Sequence, residues 1–103
     1  MLGCQHVAFS VDRDVLRVGQ QAGTFRAIRL KVRGNDIFML DLKVVYGNGA
    51  PDDLPVRALI RAGGSSGAID LKGDRRYIDR VQMIYRSRPN FRGEAEVCVE
   101  GAP

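Results

Sequence analysis

Five arginines, two cysteines and one histidine are the residues whose types and spacing could do chemistry in this sequence. Arg75 and Arg76 follow Gly73-Asp74, and Arg86, Arg88 and Arg92 flank a Pro89-Asn90-Phe91 loop. A guanidinium is a planar fork that matches carboxylates and phosphates, so these five are the candidate anion-binding residues. The competing role is architectural: such arginines also tie loops to carbonyls and to carboxylates such as Asp74 or Asp79. Arg76 and Arg86 flank a strand expected from about Arg80 to Ser87. At the rise of an extended chain that strand is roughly 20–25 Å long, so its two ends need not meet.

The other chemistry is thin. His6 is the sole histidine and has no Asp or Ser near it in sequence to orient it, so it reads as an exposed strand residue rather than a general base. No G-x-S-x-G elbow, P-loop or G-x-G-x-x-G occurs. Gly63-Gly64-Ser65-Ser66-Gly67 has the composition of a phosphate cradle but lacks a following Lys and helix, and reads as a loop. Asn48, Asp52 and Asp53 could offer oxygens to calcium, but their spacing fits no EF-hand, and a solvated turn is expected. Two cysteines and one histidine without C-x-x-C spacing do not make a zinc site, so no metal and no cofactor are expected. An enzyme is not the expected reading.

Cys4 and Cys98 lie near opposite ends of the chain and share an oddity. Each has the opposite parity to its apolar neighbours, Val7 and Phe9 for Cys4, Val97 and Val99 for Cys98. Both therefore fall off the main core face. A Cys4–Cys98 disulfide explains both positions if the first and last strands are neighbours. Closing such a loop would contribute roughly 4–5 kcal/mol on chain-entropy grounds, and it would imply an oxidising compartment. Two reduced thiols in a cytoplasmic protein remain the alternative.

The elements that must position these residues follow a period of two. Val7/Phe9/Val11, Ile28/Leu30/Val32, Phe38/Leu40/Leu42/Val44/Tyr46, Leu54/Val56/Ala58/Ile60, Ile69/Leu71, Val81/Met83/Tyr85 and Ala95/Val97/Val99 alternate with mostly polar or small residues. Such alternation fits antiparallel strands with one wet face. Gly34-Asn35-Asp36 reads as a tight hairpin between two long strands, and Gly47 to Asp53 as a longer loop. The only helix candidate is one turn at 73–79, with Asp74 as its cap. Asp41 sits in mid-strand and calls for a cationic partner, for which the Arg29/Lys31/Arg33 stripe is the candidate. The expected architecture is all-β: an antiparallel β-sandwich, jelly-roll or Greek-key-like, of about 7–9 strands with at most one short helical turn, filling residues 1–103 as a single domain.

Composition bounds function. The 103 residues carry a net charge of +4, and thirteen of the sixteen basic residues are Arg. The excess lies in residues 54–92, while the stretch after Gly93 adds three Glu. An uneven charge of this kind marks a candidate anion-binding face. Nucleic acid is disfavoured, since there is no Trp and most of the Phe and Tyr residues occupy core parity. No apolar run is long enough for a transmembrane helix. Met1 is followed closely by polar Gln5 and His6, with neither a basic n-region nor an apolar h-region. That fits a cytoplasmic protein, or a mature domain whose leader has been removed.

Several short stretches resemble a known family. They are Gly34-Asn35-Asp36, Tyr46-Gly47-Asn48-Gly49, Gly73-Asp74-Arg75-Arg76 with Ile78, Tyr85-Arg86-Ser87-Arg88-Pro89, and Gly93 with Ala95, Val97, Val99 and Gly101. Together they are similar to a family of small exported bacterial proteins known as a domain of unknown function, across nearly the whole chain. The resemblance implies a periplasmic or secreted location with the leader removed, which favours the disulfide, and it implies no reaction. It also places Gly73 and Gly93 at turns that need positive φ, with Arg75, Arg76 and Arg86 in a network beneath the loops. The resulting expectation is a non-enzymatic binding or accessory module of the bacterial cell envelope, with an anionic ligand or partner. The alternative is a cytoplasmic domain that binds nucleic acid or an acidic protein.

Overall fold

The alternating runs become strands in the computed structural model, which describes residues 1–7, 11–73, 75–87 and 95–103, without the side chains of residues 7, 11, 12 and 87. The strands are β1 (Gly3–Val7), β2 (Val11–Arg17), β3 (Thr24–Phe25), β4 (Ala27–Arg33), β5 (Ile37–Tyr46), β6 (Pro51–Leu54), β7 (Ala58–Ile60), β8 (Ile69–Asp70), β9 (Arg76–Ser87) and β10 (Ala95–Ala102). One sheet has the order β1-β10-β4-β8 and the other β2-β9-β5-β6, with β3 on β9 and β7 on β5. All pairings are antiparallel. The two sheets pack face to face as a β-sandwich around one apolar cluster.

The core follows the alternation. Ile28, Leu30 and Val32 of β4 and Val97 and Val99 of β10 face Val44 of β5 and Val81, Met83 and Tyr85 of β9, all almost fully buried. Two buried tyrosines solve the problem of a hydroxyl in an apolar core in the same way. Tyr46 donates its hydroxyl to Asp52 and Tyr85 donates its own to Asp14.

Parity fails most plainly at the start of β5. Ile37 and Met39 are fully buried, while Phe38 and Leu40 are only partly so, the reverse of a straight alternation through Tyr46. The cause is a β-bulge. Met39 pairs with Tyr85 but Asp41 pairs with Ile84, so Leu40 is an extra residue on β5 and the faces swap there.

Four expected connections are different in fact. Gly34-Asn35-Asp36 is not a hairpin: β4 and β5 belong to different sheets, and the turn carries the chain between them. Gly34 takes φ 83°, Asn35 is fully buried, and Asp36 accepts from the Ala62 N–H at 2.8 Å. The run read from Val7 to Val11 is likewise divided, with β1 in one sheet and β2 in the other. The stretch from Gly47 to Asp53 is mostly not loop. Gly47–Ala50 is a turn closed by Tyr46 N–H to Ala50 C=O at 2.9 Å, and β6 begins at Pro51. Pro51 is tolerated because β6 is an edge strand. Finally, the helical turn expected at 73–79 is replaced by strand from Arg76, where β9 starts, and its expected cap Asp74 lies outside the described residues; the single short helical turn among the described residues is Gln20–Ala22.

Candidate functional site

Strand β9 decides which arginines meet. Arg76 opens it and Arg86 nearly ends it, ten residues apart, or about 33 Å at the rise of a strand. Arg86 therefore lies at the far end, its guanidinium 5.7 Å from the Phe38 ring. Arg88 and Arg92 fall outside the described residues. Of the five candidates, the structure brings Arg75 and Arg76 together.

These two line a cleft of about 310 Å³ with Gln20, Gly47, Asn48 and Tyr77. Three segments build it. The Tyr46–Ala50 turn is tied to the start of β9 by the Gly47 N–H, which donates to the Tyr77 carbonyl at 2.8 Å. The Gln20 turn is held there by N–H groups of Val18 and Gly19 that donate to the Asp79 and Ile78 carbonyls. Gly73, at φ 82°, turns the chain just ahead of the arginines, as the positive-φ expectation required; Gly93, the other glycine of that expectation, lies outside the described residues.

Beneath the arginines lies a buried polar network. The Tyr46 hydroxyl donates to Asp52 Oδ2 at 2.6 Å and accepts from the Lys72 N–H at 3.1 Å. Lys72 Nζ sits 3.6 Å from the other Asp52 oxygen. The Arg76 guanidinium lies 3.9 Å over the Tyr46 ring and donates to the Lys72 carbonyl at 3.2 Å. Burial, and after it the hydrogen bond to Asp52, push the Tyr46 hydroxyl above its usual 10.0. Arg76 is thus anchored as part of the scaffold. Arg75 is exposed and has no carboxylate partner among the described residues. The cleft offers an unpaired guanidinium, two side-chain amides and the exposed phenol of Tyr77. Donors of this kind hold an anion.

The other candidates resolve by geometry. Asp52 faces the sandwich interior, Asp53 is exposed on the opposite side 3.7 Å from Lys43 Nζ, and Asn48 Oδ1 accepts from the Ala50 N–H, so these three oxygens do not converge for calcium. The glycine-serine segment runs along β4. The N–H groups of Gly63 and Ser66 donate to Val32 and Leu30 carbonyls, and those of Gly64 and Gly67 donate to Arg61 and Ser65 oxygens, leaving these four no role in a phosphate cradle.

The Arg29/Lys31/Arg33 stripe does not serve Asp41, which lies on the other sheet beside Arg13, Lys43, Gln82 and Ile84. Its partners come from β10, whose register sets Arg33 opposite Glu96 and Arg29 opposite Glu100. Arg33 donates to Glu96 at 2.7 Å and Arg29 to Glu100 at 2.6 Å, with Lys31 3.8 Å from Glu100. On the same outer face Cys4 pairs directly with Cys98, and the two form a disulfide across a Cα separation of 4.0 Å and 94 residues of sequence. His6, two residues on, has its Nε2 3.7 Å from Glu96. That carboxylate was invisible in sequence because it lies ninety residues away in the chain. The cleft partners Gln20, Asn48 and Tyr77 and the Tyr46–Asp52–Lys72 network also went unrecognised as a unit. The one available signal was Asp52, a carboxylate at apolar spacing from Leu54.

A family profile matches residues 1–101. The chain belongs to DUF2541, a domain of unknown function. No curated protein and no solved structure matches it. Membership in DUF2541 assigns no reaction, and no helix among the described residues is long and apolar enough to cross a membrane.

Proposed function

We propose that this DUF2541 chain is a non-enzymatic binding module, exported to the bacterial cell envelope, that takes an anionic group in the Arg75–Arg76 cleft. The observation that carries the reading is Arg75, an exposed guanidinium without a carboxylate partner among the described residues, held beside Gln20, Asn48 and Tyr77 on a rigid base. The Cys4–Cys98 disulfide supports export, since such bonds persist in oxidising compartments. Titration with inorganic phosphate by calorimetry tests the site. Binding should weaken as salt is raised, and Arg75→Ala should weaken it by about tenfold or more, as expected for a charged hydrogen bond. Equal affinity in wild type and Arg75→Ala would remove the site. Export is tested separately by thiol titration of protein purified without reductant, where two free thiols would count against it.

A further inference from the structure

The pairing of β1 with β10 sets four metal-ligating side chains in a square on one outer face. Cys4 stands opposite Cys98 and His6 opposite Glu96, and the two pairs are two residues apart along each strand. The sulfurs and a Glu96 carboxylate oxygen lie within 4.8 Å of one another. Cys98 Sγ is 3.5 Å from Glu96 Oε1, and His6 Nε2 is 3.7 Å from Glu96 Oε2. A tetrahedral zinc ion with bonds of about 2.3 Å to sulfur and 2.0–2.1 Å to nitrogen or oxygen has ligand–ligand edges of roughly 3.3–3.8 Å. The His6 Nε2–Glu96 Oε2 separation already has that size, and Cys98 Sγ lies as close to the other oxygen of the same carboxylate.

We infer that the Cys4–Cys98 disulfide masks a redox-gated site for a thiophilic divalent cation of the zinc type, with Cys4, Cys98, His6 and Glu96 as ligands. The gate is thiol–disulfide exchange with a dithiol reductant. The dithiol supplies two electrons and two protons, the S–S bond breaks, two cysteine thiols form, and the reductant leaves as its own disulfide. Cation binding then releases both thiol protons and forms two metal–thiolate bonds. With β1 and β10 still paired, side-chain rotation alone would separate the sulfurs. Cys4 is exposed, which gives the reductant access.

The surroundings suit the cation. Arg33 holds Glu96 Oε1, the oxygen nearer Cys98, at 2.7 Å and leaves Oε2, 3.7 Å from His6 Nε2, to ligate, the usual arrangement of an outer partner that orients a metal-bound carboxylate. Two thiolates, a carboxylate and a divalent cation sum to −1, and the Arg33 guanidinium balances that charge.

The test uses Co²⁺ as a spectroscopic probe on the full chain. Dithiol-reduced protein should bind one Co²⁺ with thiolate-to-cobalt charge-transfer and tetrahedral d–d absorption, and oxidised protein should show neither. Cys98→Ser should abolish the charge-transfer band. Arg33→Ala should weaken binding about tenfold, and His6→Ala and Glu96→Gln by more. Absence of the band in reduced protein overturns the proposal, as does a band of unchanged affinity in both His6→Ala and Glu96→Gln. If reduction unfolds the chain, Zn²⁺ should restore its β-sheet circular dichroism and raise its melting temperature; failure to do so also overturns the proposal.

Discussion

Arginines gather in two places in this molecule, and their company differs. On the outer face of β4, Arg33 and Arg29 stand opposite Glu96 and Glu100, charge against charge in register, with Lys31 between them 3.8 Å from Glu100. At the start of β9, Arg75 and Arg76 meet a tyrosine ring, a backbone carbonyl and neutral amides, with no carboxylate in ion-pair range among the described residues. The first group is paired with two carboxylates of its neighbouring strand, whose far side is joined to β1 by the disulfide. The second sits above a buried network that fixes one guanidinium and leaves the other exposed, with no ion pair among the described residues. Arginine count alone therefore does not distinguish the two gatherings; the distribution of carboxylates around them does.

The largest effect should come from cutting the staple in the first region. Cys4→Ser with Cys98→Ser opens a loop closed over 94 residues of sequence and should lower unfolding free energy by about 2–5 kcal/mol in urea titrations. A loss below about 1 kcal/mol would mean that sheet pairing alone sets the register of β1. The base of the second region comes next. Tyr46→Phe removes the hydroxyl that bridges Asp52 and the Lys72 N–H, taking the donor from one oxygen of a carboxylate only 5% exposed, and should cost about 1–3 kcal/mol. It should also change the alkaline limb. Because the folded Tyr46 hydroxyl titrates above its usual 10.0, the unfolded chain gives up this proton first. The stability it contributes is complete below about pH 10 and is lost as pH rises through the folded value. Tyr46→Phe should therefore be less sensitive than wild type above pH 10 in thermal melts.

Much of the first region was legible in the sequence and little of the second. Alternation exposed Cys4 and Cys98 as off-core residues, and the pairing of β1 with β10 follows from that. The Arg29/Lys31/Arg33 stripe was equally plain, but its partners were misassigned to Asp41. Alternation fixes the face a residue occupies, not the strand beside it. The same limit made Gly34-Asn35-Asp36 resemble a hairpin, since a turn that changes sheets has the same glycine and Asx residues as one that does not. The bulge at Leu40 is invisible because Phe38, Met39 and Leu40 are all apolar, so either parity fits. The cleft depends on three segments meeting at one end of the sandwich, and no local pattern encodes that meeting.

The two regions should also differ at acid pH. The hydrogen bond from Arg29, more than the charge of Lys31, holds the Glu100 carboxyl below its usual 4.5. Its contribution is present above that value and fades as pH falls through the folded one, and Arg29→Ala should remove that fading from acid denaturation curves. Arg33→Ala, which breaks an exposed pair with Glu96, should cost only about 0.2–1 kcal/mol near neutral pH.

The smallest effect on stability belongs to Arg75→Ala, and it separates the two regions most sharply. Arg75 is exposed and forms no ion pair among the described residues, so its removal should leave unfolding free energy within about 0.5 kcal/mol of wild type. Arg76→Ala should not be silent, because it removes a cation over the Tyr46 ring and a bond to the Lys72 carbonyl. Neighbours in sequence would then have opposite signatures: loss of phosphate binding without loss of stability at Arg75, and loss of both at Arg76. If urea titration instead shows Arg75→Ala to be as destabilising as Arg76→Ala, the second gathering is structural like the first, and the absence of carboxylates around it no longer marks a ligand site.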